Sequence, residues 1–166
     1  MGRKTEPSIS AAERRQFETT RDAATLQLLF KAARLANERA LARAAADAQR
    51  PPVRAAHTAL FPHLDFDGIR LTDLASRVGV TKQAVGQLVD DLAALGMVER
   101  ISDPTDKRAK RVRFSRRGHA ALLAGLGVLR EIEDALGEAV GRKRMRELHE
   151  TLKLIVGALE SAPTSG

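Results

Sequence analysis

Two glutamines and a lysine stand near the start of the stretch "VTKQAVGQLVDDLAALG", residues 80–96. Val80, Val85, Leu88 and Leu92 recur there on one apolar face at helical spacing, which predicts an amphipathic helix. An amide side chain can bond adenine through two hydrogen bonds, an ammonium can bond guanine, and the free amides of a helix start suit a phosphate. On this basis, the residues predicted to contact the major groove of duplex DNA are Thr81, Lys82, Gln83, Gly86 and Gln87.

A basic loop, "DPTDKRAK", follows between "MVERI" and "RVRFS", two short segments with strand character. Residues 100–117 hold six more basic than acidic residues, nearly the net charge of +7 of the whole chain. Such a concentration of charge favours a phosphate backbone as partner. Arg108 is predicted to enter the minor groove, with Asp106 holding it in position. Contacts with the DNA backbone are assigned to Lys107, Lys110 and Arg111.

A helix-turn-helix and a hairpin are predicted to carry these residues. Within residues 69–92, two apolar runs at helical spacing are separated by Gly79, which suits a tight turn. Thr72 and Thr81 each come just before a run, where an N-cap residue belongs. The two strand segments are predicted to form a hairpin with one apolar face, and we term this hairpin, residues 97–115, the wing.

Helices are predicted on both sides of this module. Residues 11–48 lack proline and glycine and carry an alanine-rich apolar stripe, which predicts one long helix. A second helix is predicted at residues 53–64, and two more are predicted after the wing, joined at Gly141. The last helix has a packing seam formed by Met145, Leu148, Leu152, Ile155 and Leu159. Seams at both ends of the chain predict a homodimer.

The predicted fold class is mainly α with a small β-hairpin wing, a winged helix-turn-helix flanked by N- and C-terminal dimerisation helices. The predicted organisation comprises a flexible N-terminus (residues 1–12), N-terminal helices for dimerisation and support (13–64), the DNA-binding module (65–117), C-terminal dimerisation helices (118–160) and a flexible tail (161–166). Each boundary follows a change from periodic apolar spacing to polar or proline-containing sequence.

Composition narrows the classes of function. The chain has 28 Lys and Arg against 21 Asp and Glu and a pI of about 10.5, which favours a polyanionic partner. It has no cysteine, which excludes disulfides and thiol redox sensing. Without Trp or Tyr, a single-strand binder built on stacking is disfavoured. No signal peptide or membrane span is recognisable, so we expect a cytoplasmic protein without membrane contact.

Other candidate sites in the sequence have plainer interpretations. His63, Asp65 and Asp67, with His57 nearby, are of types that bind divalent metals, but solvation of a helix end is the preferred interpretation. "ELHE" at residues 147–150 lacks the second histidine of a zinc protease. No glycine-rich phosphate loop or activated serine is recognisable. We therefore predict no metal, no cofactor and no enzyme activity.

Residues 68–118 resemble the winged helix-turn-helix of the MarR family of bacterial transcriptional regulators. The resemblance rests on the helix pair, on "DPTDKRAK" with its Asp-x-Arg element at Asp106 and Arg108, and on the "FSRRG" that opens the next helix. It implies a homodimer joined by its terminal helices. It also implies that DNA binding is often relieved by a small aromatic or phenolic ligand, an oxidant or a metal. Because the chain has no cysteine to oxidise and no convincing metal site, a small ligand is the preferred signal.

The predicted function is a sequence-specific double-stranded DNA-binding transcriptional regulator, expected to be a ligand-relieved repressor acting as a homodimer on a palindromic operator. A ligand pocket is placed near His57, Phe61 and Leu64, with ordinary core packing as the alternative. The alternative function is a winged-helix module for non-specific, architectural DNA binding or for protein contacts. Gln83 and Gln87 distinguish the two functions, because base contacts by amides give sequence preference, whereas an architectural binder would depend on Lys and Arg alone.

Overall fold

The computed structural model describes residues 9–106 and 108–161, and the chain divides into two compact units, Met1–Asn37 and Glu38–Gly166. Its helices are α1 (Ala11–Ala23), α2 (Thr25–Ala45), α3 (Ala55–Thr58), α4 (Leu71–Val78), α5 (Lys82–Ala94), α6 (Arg116–Val140) and α7 (Arg142–Ser161), with a 3-10 turn at Phe61–His63. The strands are β1 (Ile69–Arg70), β2 (Val98–Ser102) and β3 (Lys110–Phe114). The predicted fold class is confirmed. Within the described part of the chain, no helix is long and apolar enough to cross a membrane.

The N-terminal unit contains α1 and the beginning of α2. A capping box starts α1: Ser10 Oγ accepts from the Glu13 amide at 3.2 Å, and the Glu13 carboxylate accepts from the Ser10 amide at 2.8 Å. The prediction of one long helix is wrong at Ala24, where the backbone is extended (ψ 110°). The hydroxyl of Thr19 donates to the Arg15 carbonyl at 2.9 Å, and back-bonding of this kind weakens and bends a helix.

The core of the C-terminal unit lies between the α4–α5 pair and the sheet. Its buried apolar residues are Leu60, Leu64, Ile69, Leu74, Ala75, Val85, Val89, Leu92, Met97, Val98 and Val112. Gly79 makes the predicted turn between α4 and α5, in the left-handed conformation (φ 74°) that glycine tolerates. Val80, which the apolar pattern placed on the buried face, is instead 44% exposed.

Three antiparallel strands in the order β1-β3-β2 form the sheet. The predicted hairpin of β2 and β3 is confirmed, with Arg100 opposite Val112. Strand β1 was not predicted, because two residues are too short for a periodic signal. Gly68 permits its close approach to β3: the glycine has φ +84°, and an added Cβ would lie 2.9 Å from the Arg111 Cβ.

Two predictions around the core are wrong in detail. The helix predicted at residues 53–64 is divided into α3 and the 3-10 turn, and Pro62 lacks the amide that a continuous helix requires. Thr72 does not cap α4, since it lies inside that helix. The helix begins earlier because its first flanking residue, Arg70, is fixed by pairing with Arg111 of β3.

The helices after the wing continue the C-terminal unit. Ser115 caps α6 by accepting from the Gly118 amide at 2.9 Å. Gly118 lies so close to β2 that an added Cβ would be 1.7 Å from the Met97 carbonyl oxygen, which leaves room only for hydrogen at this position. Gly141 (φ 101°) separates α6 from α7 at the predicted joint. The segments predicted as flexible ends lie mostly outside the described residues.

Candidate nucleic-acid interface

The first two turns of α5, which we term the recognition helix, present polar side chains to solvent. Thr81 is the predicted N-cap, and its Oγ1 accepts from the Ala84 amide at 3.2 Å. The side chains of Lys82, Gln83 and Gln87 are exposed. Within residues 9–106 and 108–161, none of these three side chains has a hydrogen-bond or ion-pair partner. The structure therefore leaves one cation and two amides available on this surface.

Gly86 lies among these residues, in the interior of the helix. Glycine there destabilises a helix by about 1 kcal/mol relative to alanine. An added Cβ would meet its nearest neighbour, the Leu71 Cδ2, at 3.8 Å, an ordinary van der Waals contact. Packing within the chain therefore does not explain the glycine.

The second half of the recognition helix is acidic, but its acids are paired. Asp90 Oδ1 accepts from an Arg100 guanidinium nitrogen at 2.6 Å, which ties the helix to β2. Asp91 accepts from Arg54, which ties it to the residue preceding α3. These pairs compensate the carboxylates that would otherwise repel a polyanion approaching the helix.

The tip of the wing carries the residues of the Asp-x-Arg element. Asp106 Oδ1 accepts from the backbone amide of Arg108 at 3.0 Å, so it holds Arg108 through its backbone. Among the described residues, the exposed Arg108 side chain has no hydrogen-bond or ion-pair partner. Lys110 is exposed and its Nζ lies 3.1 Å from the Ser102 Oγ. Lys107 lies outside the described residues.

The loop end of the wing contains a site that the sequence does not reveal. The carboxylate of Asp103 is buried and accepts from Nε of Arg70 at 2.7 Å and from Nε of Arg111 at 2.9 Å. Hydrogen bonds from Arg70, Thr105 and Arg111 hold the pKa of the Asp103 carboxyl well below its usual range. Asp before Pro104 is a common turn signal, and it was the available hint that this side chain bonds back to its own loop.

Arg111, assigned to the DNA backbone from the sequence, is thus engaged within the chain. A second wing arginine, Arg113, donates to its cross-strand partner Glu99 at 2.8 Å. Arg116 and Arg117, at the start of α6, are exposed. The positive charge counted in this region is therefore divided between paired arginines on the strands and exposed cations at the tip of the wing and at the start of α6.

The residues predicted to line a ligand pocket are packed in or against the core. His57 is 2% exposed and its Nδ1 accepts from the Arg54 amide at 3.2 Å. Phe61 contacts Phe114 edge to face, with ring centroids 5.6 Å apart, and Leu64 belongs to the core. Ligand binding here stays a prediction, and it would require these side chains to move.

The acidic and histidine residues before β1 do not converge. Asp65 lies 3.3 Å from an Arg77 guanidinium nitrogen, an exposed ion pair. No group of three or more histidine, aspartate or glutamate side chains suited to a metal ion occurs in the part of the chain that the structure describes. Among the described residues, His63, Asp65 and Asp67 therefore do not form a three-ligand metal site.

Comparison with known proteins matches residues 55–109 to the model of the MarR family. A comparison with curated proteins gives no match. Among solved structures, the chain is similar to RV1404 from Mycobacterium tuberculosis (20% identity, 96% of this chain and 99% of that chain covered, TM-score 0.66). It is also similar to the Multiple Antibiotic Resistance Repressor, MarR (19% identity, 80% and 94% covered, TM-score 0.64). A third similar structure is the transcriptional repressor CouR bound to a 23-mer DNA duplex (21% identity, 90% and 99% covered, TM-score 0.60).

These findings confirm the resemblance inferred from the sequence. The fold is that of MarR-family transcriptional regulators, and the matched segment spans α3, both helices of the helix-turn-helix and most of the wing. MarR-family proteins are transcription regulators and not enzymes, which agrees with the lack of a predicted catalytic site.

Proposed function

We propose that this chain, a winged-helix protein of the MarR family, regulates transcription by binding a specific sequence of double-stranded DNA. The observation that carries the proposal is the set of exposed side chains of Lys82, Gln83 and Gln87 on the first two turns of α5, which have no partner among the described residues. An α-helix fits the major groove, where amides can read adenine and an ammonium can read guanine. Polar side chains that the fold itself does not use are suited to this role.

Gly86 supports the same assignment. It weakens the helix, and no neighbouring atom in the part of the chain that the structure describes requires a glycine there. A helix pressed into a groove gains from the absence of a side chain, because its backbone can then approach the bases more closely. Thr81 and the free amides at the start of α5 would meet a phosphate.

The wing would contact the adjacent minor groove and backbone. Arg108 is exposed, and its backbone amide is fixed by Asp106, so its guanidinium can enter a narrow minor groove. Lys107 and Lys110 would contact phosphates. Such contacts position a protein on DNA and make its affinity depend on salt, whereas base contacts specify the sequence.

A second copy of the chain would complete the regulator. Apolar side chains are exposed on α1 (Phe17), on α2 (Phe30) and on α7 (Leu159). Apolar surface of this kind marks an interaction site. In a two-fold dimer the recognition helices would enter successive major grooves, roughly 34–36 Å apart, and would read a palindromic operator.

Repression, relieved by a small aromatic or phenolic ligand, is the proposed mode of regulation, in the cytoplasm where bacterial DNA lies. Two of the structurally similar proteins are themselves named repressors. A ligand would act by favouring a spacing of the two recognition helices that no longer fits successive grooves, a coupling of ~1–3 kcal/mol in typical cases. A thermal-shift screen of phenolic acids, followed by operator binding with each hit, tests this step.

Selection from a random-sequence duplex pool tests the main proposal. We expect the wild-type protein to enrich one inverted repeat, and the double variant Gln83→Ala, Gln87→Ala to retain binding to the pool without enriching it. Binding by the wild type with no enrichment would favour the architectural alternative. Absence of binding to any duplex at low salt would overturn the proposed function.

A further inference from the structure

We propose that Asp103 sets the DNA specificity of the wing by withholding two guanidinium groups, those of Arg70 and Arg111, from DNA phosphates. Asp103 is thus a positioning residue, which acts on DNA through the groups that it holds. Contact with DNA is thereby confined to the tip of the wing and the recognition helix. This inference rests on the DNA-binding function proposed above.

Every part of the Asp103 carboxylate is engaged within the chain. Oδ2 accepts from Arg70 at 2.7 Å and Arg111 at 2.9 Å. Oδ1 accepts from the amide and hydroxyl of Thr105, at 2.8 Å and 2.7 Å, and from the Asp106 amide at 3.2 Å. The side chain has no exposed surface. A fully satisfied, buried carboxylate of this kind holds its partners in place, since releasing them would leave a buried charge unpaired.

The position of the two arginines explains why an acid is needed. Arg70 of β1 and Arg111 of β3 are direct partners in the antiparallel ladder. Like charges directly opposite each other destabilise a sheet. The Asp103 carboxylate accepts from both Nε atoms and compensates the repulsion, so that β1, and with it the start of α4, can pair with the wing.

Both arginines nevertheless reach the surface. Their side chains are 38% and 26% exposed, for Arg70 and Arg111 respectively. Without the carboxylate, each guanidinium could therefore turn outward to a phosphate of any DNA sequence. The hydrogen bonds to Thr105 and Asp106 would weaken at the same time, so the loop that carries Arg108 would lose its fixed position.

Two opposite effects on affinity follow from the loss of this charge. The slope of log K against log salt concentration is negative, and each new phosphate contact makes it steeper by about 0.9. Two freed guanidinium groups therefore make it steeper by up to about 2. Affinity for random-sequence duplex at low salt should rise, while affinity for the selected operator should gain less or fall. The ratio of the two affinities, which defines specificity, should decrease.

The test compares Asp103→Asn with Asp67→Asn, measured on a random-sequence 30-bp duplex over a series of KCl concentrations. Both changes remove one negative charge from the DNA-binding module, but Asp67 is exposed and holds no guanidinium among the described residues. We expect a slope steeper by about 1–2 for the first variant and a slope near that of the wild type for the second. Equal slopes for the two variants would overturn the proposal.

Arg111→Gln provides a readout that does not depend on the folding of Asp103→Asn. If Arg111 is withheld from DNA, this variant should keep the wild-type slope, whereas Arg108→Ala should lower it by about 1. A slope lowered equally by both changes means that Arg111 already contacts phosphate, and the proposal fails. In the Asp103→Asn background, Arg111→Gln should remove about half of the added slope.

These outcomes separate this inference from the proposed function. A wild-type protein that binds no duplex contradicts both. A wild type whose binding depends on Gln83 and Arg108, but whose slope also falls on replacement of Arg111, keeps the proposed function and removes only the role assigned to Asp103.

Discussion

The central region, from α3 to β3, and the terminal helices α1, α2 and α7 differ in how they bury apolar side chains. Leu60, Leu74 and Leu92 of the central region have no exposed surface. The helices α1, α2 and α7 have no buried residue, and Phe17 and Leu159 are 65% and 70% exposed. The central region thus completes its core within one chain. The terminal helices require another apolar surface, which we assign to a second copy.

The largest expected effect comes from a leucine of the central core. Leu92→Ala should lower the free energy of unfolding by about 2–5 kcal/mol, because it leaves a cavity in a packed interior. The matched change Leu154→Ala, at an exposed site on α7 outside the predicted seam, should cost less than about 0.5 kcal/mol. Chemical denaturation followed by circular dichroism measures both. Similar losses of stability for the two variants would contradict the difference in burial between the two regions.

Side chains of the central region that we propose to contact DNA should matter for binding and not for stability. Gln83→Ala should weaken operator binding by about 1–3 kcal/mol with little change on random duplex. Arg108→Ala should weaken binding to both and lower the salt slope by about 1. Fluorescence anisotropy with the two duplexes distinguishes the roles. Equal losses on both duplexes for both variants would show that the roles are assigned wrongly.

Changes on the terminal helices should weaken dimerisation and leave the central fold intact. Leu159→Glu, on the predicted seam of α7 and 70% exposed in the single chain, should leave the central fold intact and raise the dimer dissociation constant at least tenfold, about 1.4 kcal/mol. Leu154→Glu is the control, because that residue lies off the seam. Sedimentation over a micromolar concentration series gives both constants. A monomeric wild type at these concentrations contradicts the proposed dimer.

The smallest expected effect concerns the start of the recognition helix. Thr81→Ala removes the side chain that accepts from the Ala84 amide and should cost about 1 kcal/mol of stability. Thr72→Ala should cost less, because Thr72 lies inside α4 and its hydroxyl caps nothing there. Thermal unfolding of the two variants compares them directly. A larger loss for Thr72 would mean that its assignment as an N-cap from the sequence was right.

Local patterns predicted those elements that local chemistry specifies. Gly79 and Thr81 mark a turn and a helix start by their own backbone and hydrogen-bonding preferences, and both occur where predicted. Pro62 also acts locally, yet its interruption of the helix was overlooked. Strand β1 escaped prediction because pairing with β3, and not the preference of its two residues, makes it a strand.

The candidate site divides in the same way. The sequence by itself determined which polar residues occupy the first turns of the recognition helix, because helical periodicity separates them from the buried face. It did not determine which wing arginines are free. Arg108 and Arg111 are alike as sequence, and only the tertiary structure distinguishes them. Arg111 donates to the buried Asp103 carboxylate, which also accepts from Arg70, 33 residues before it in the chain. A charge pair depends on distance and burial, and a one-dimensional pattern contains neither.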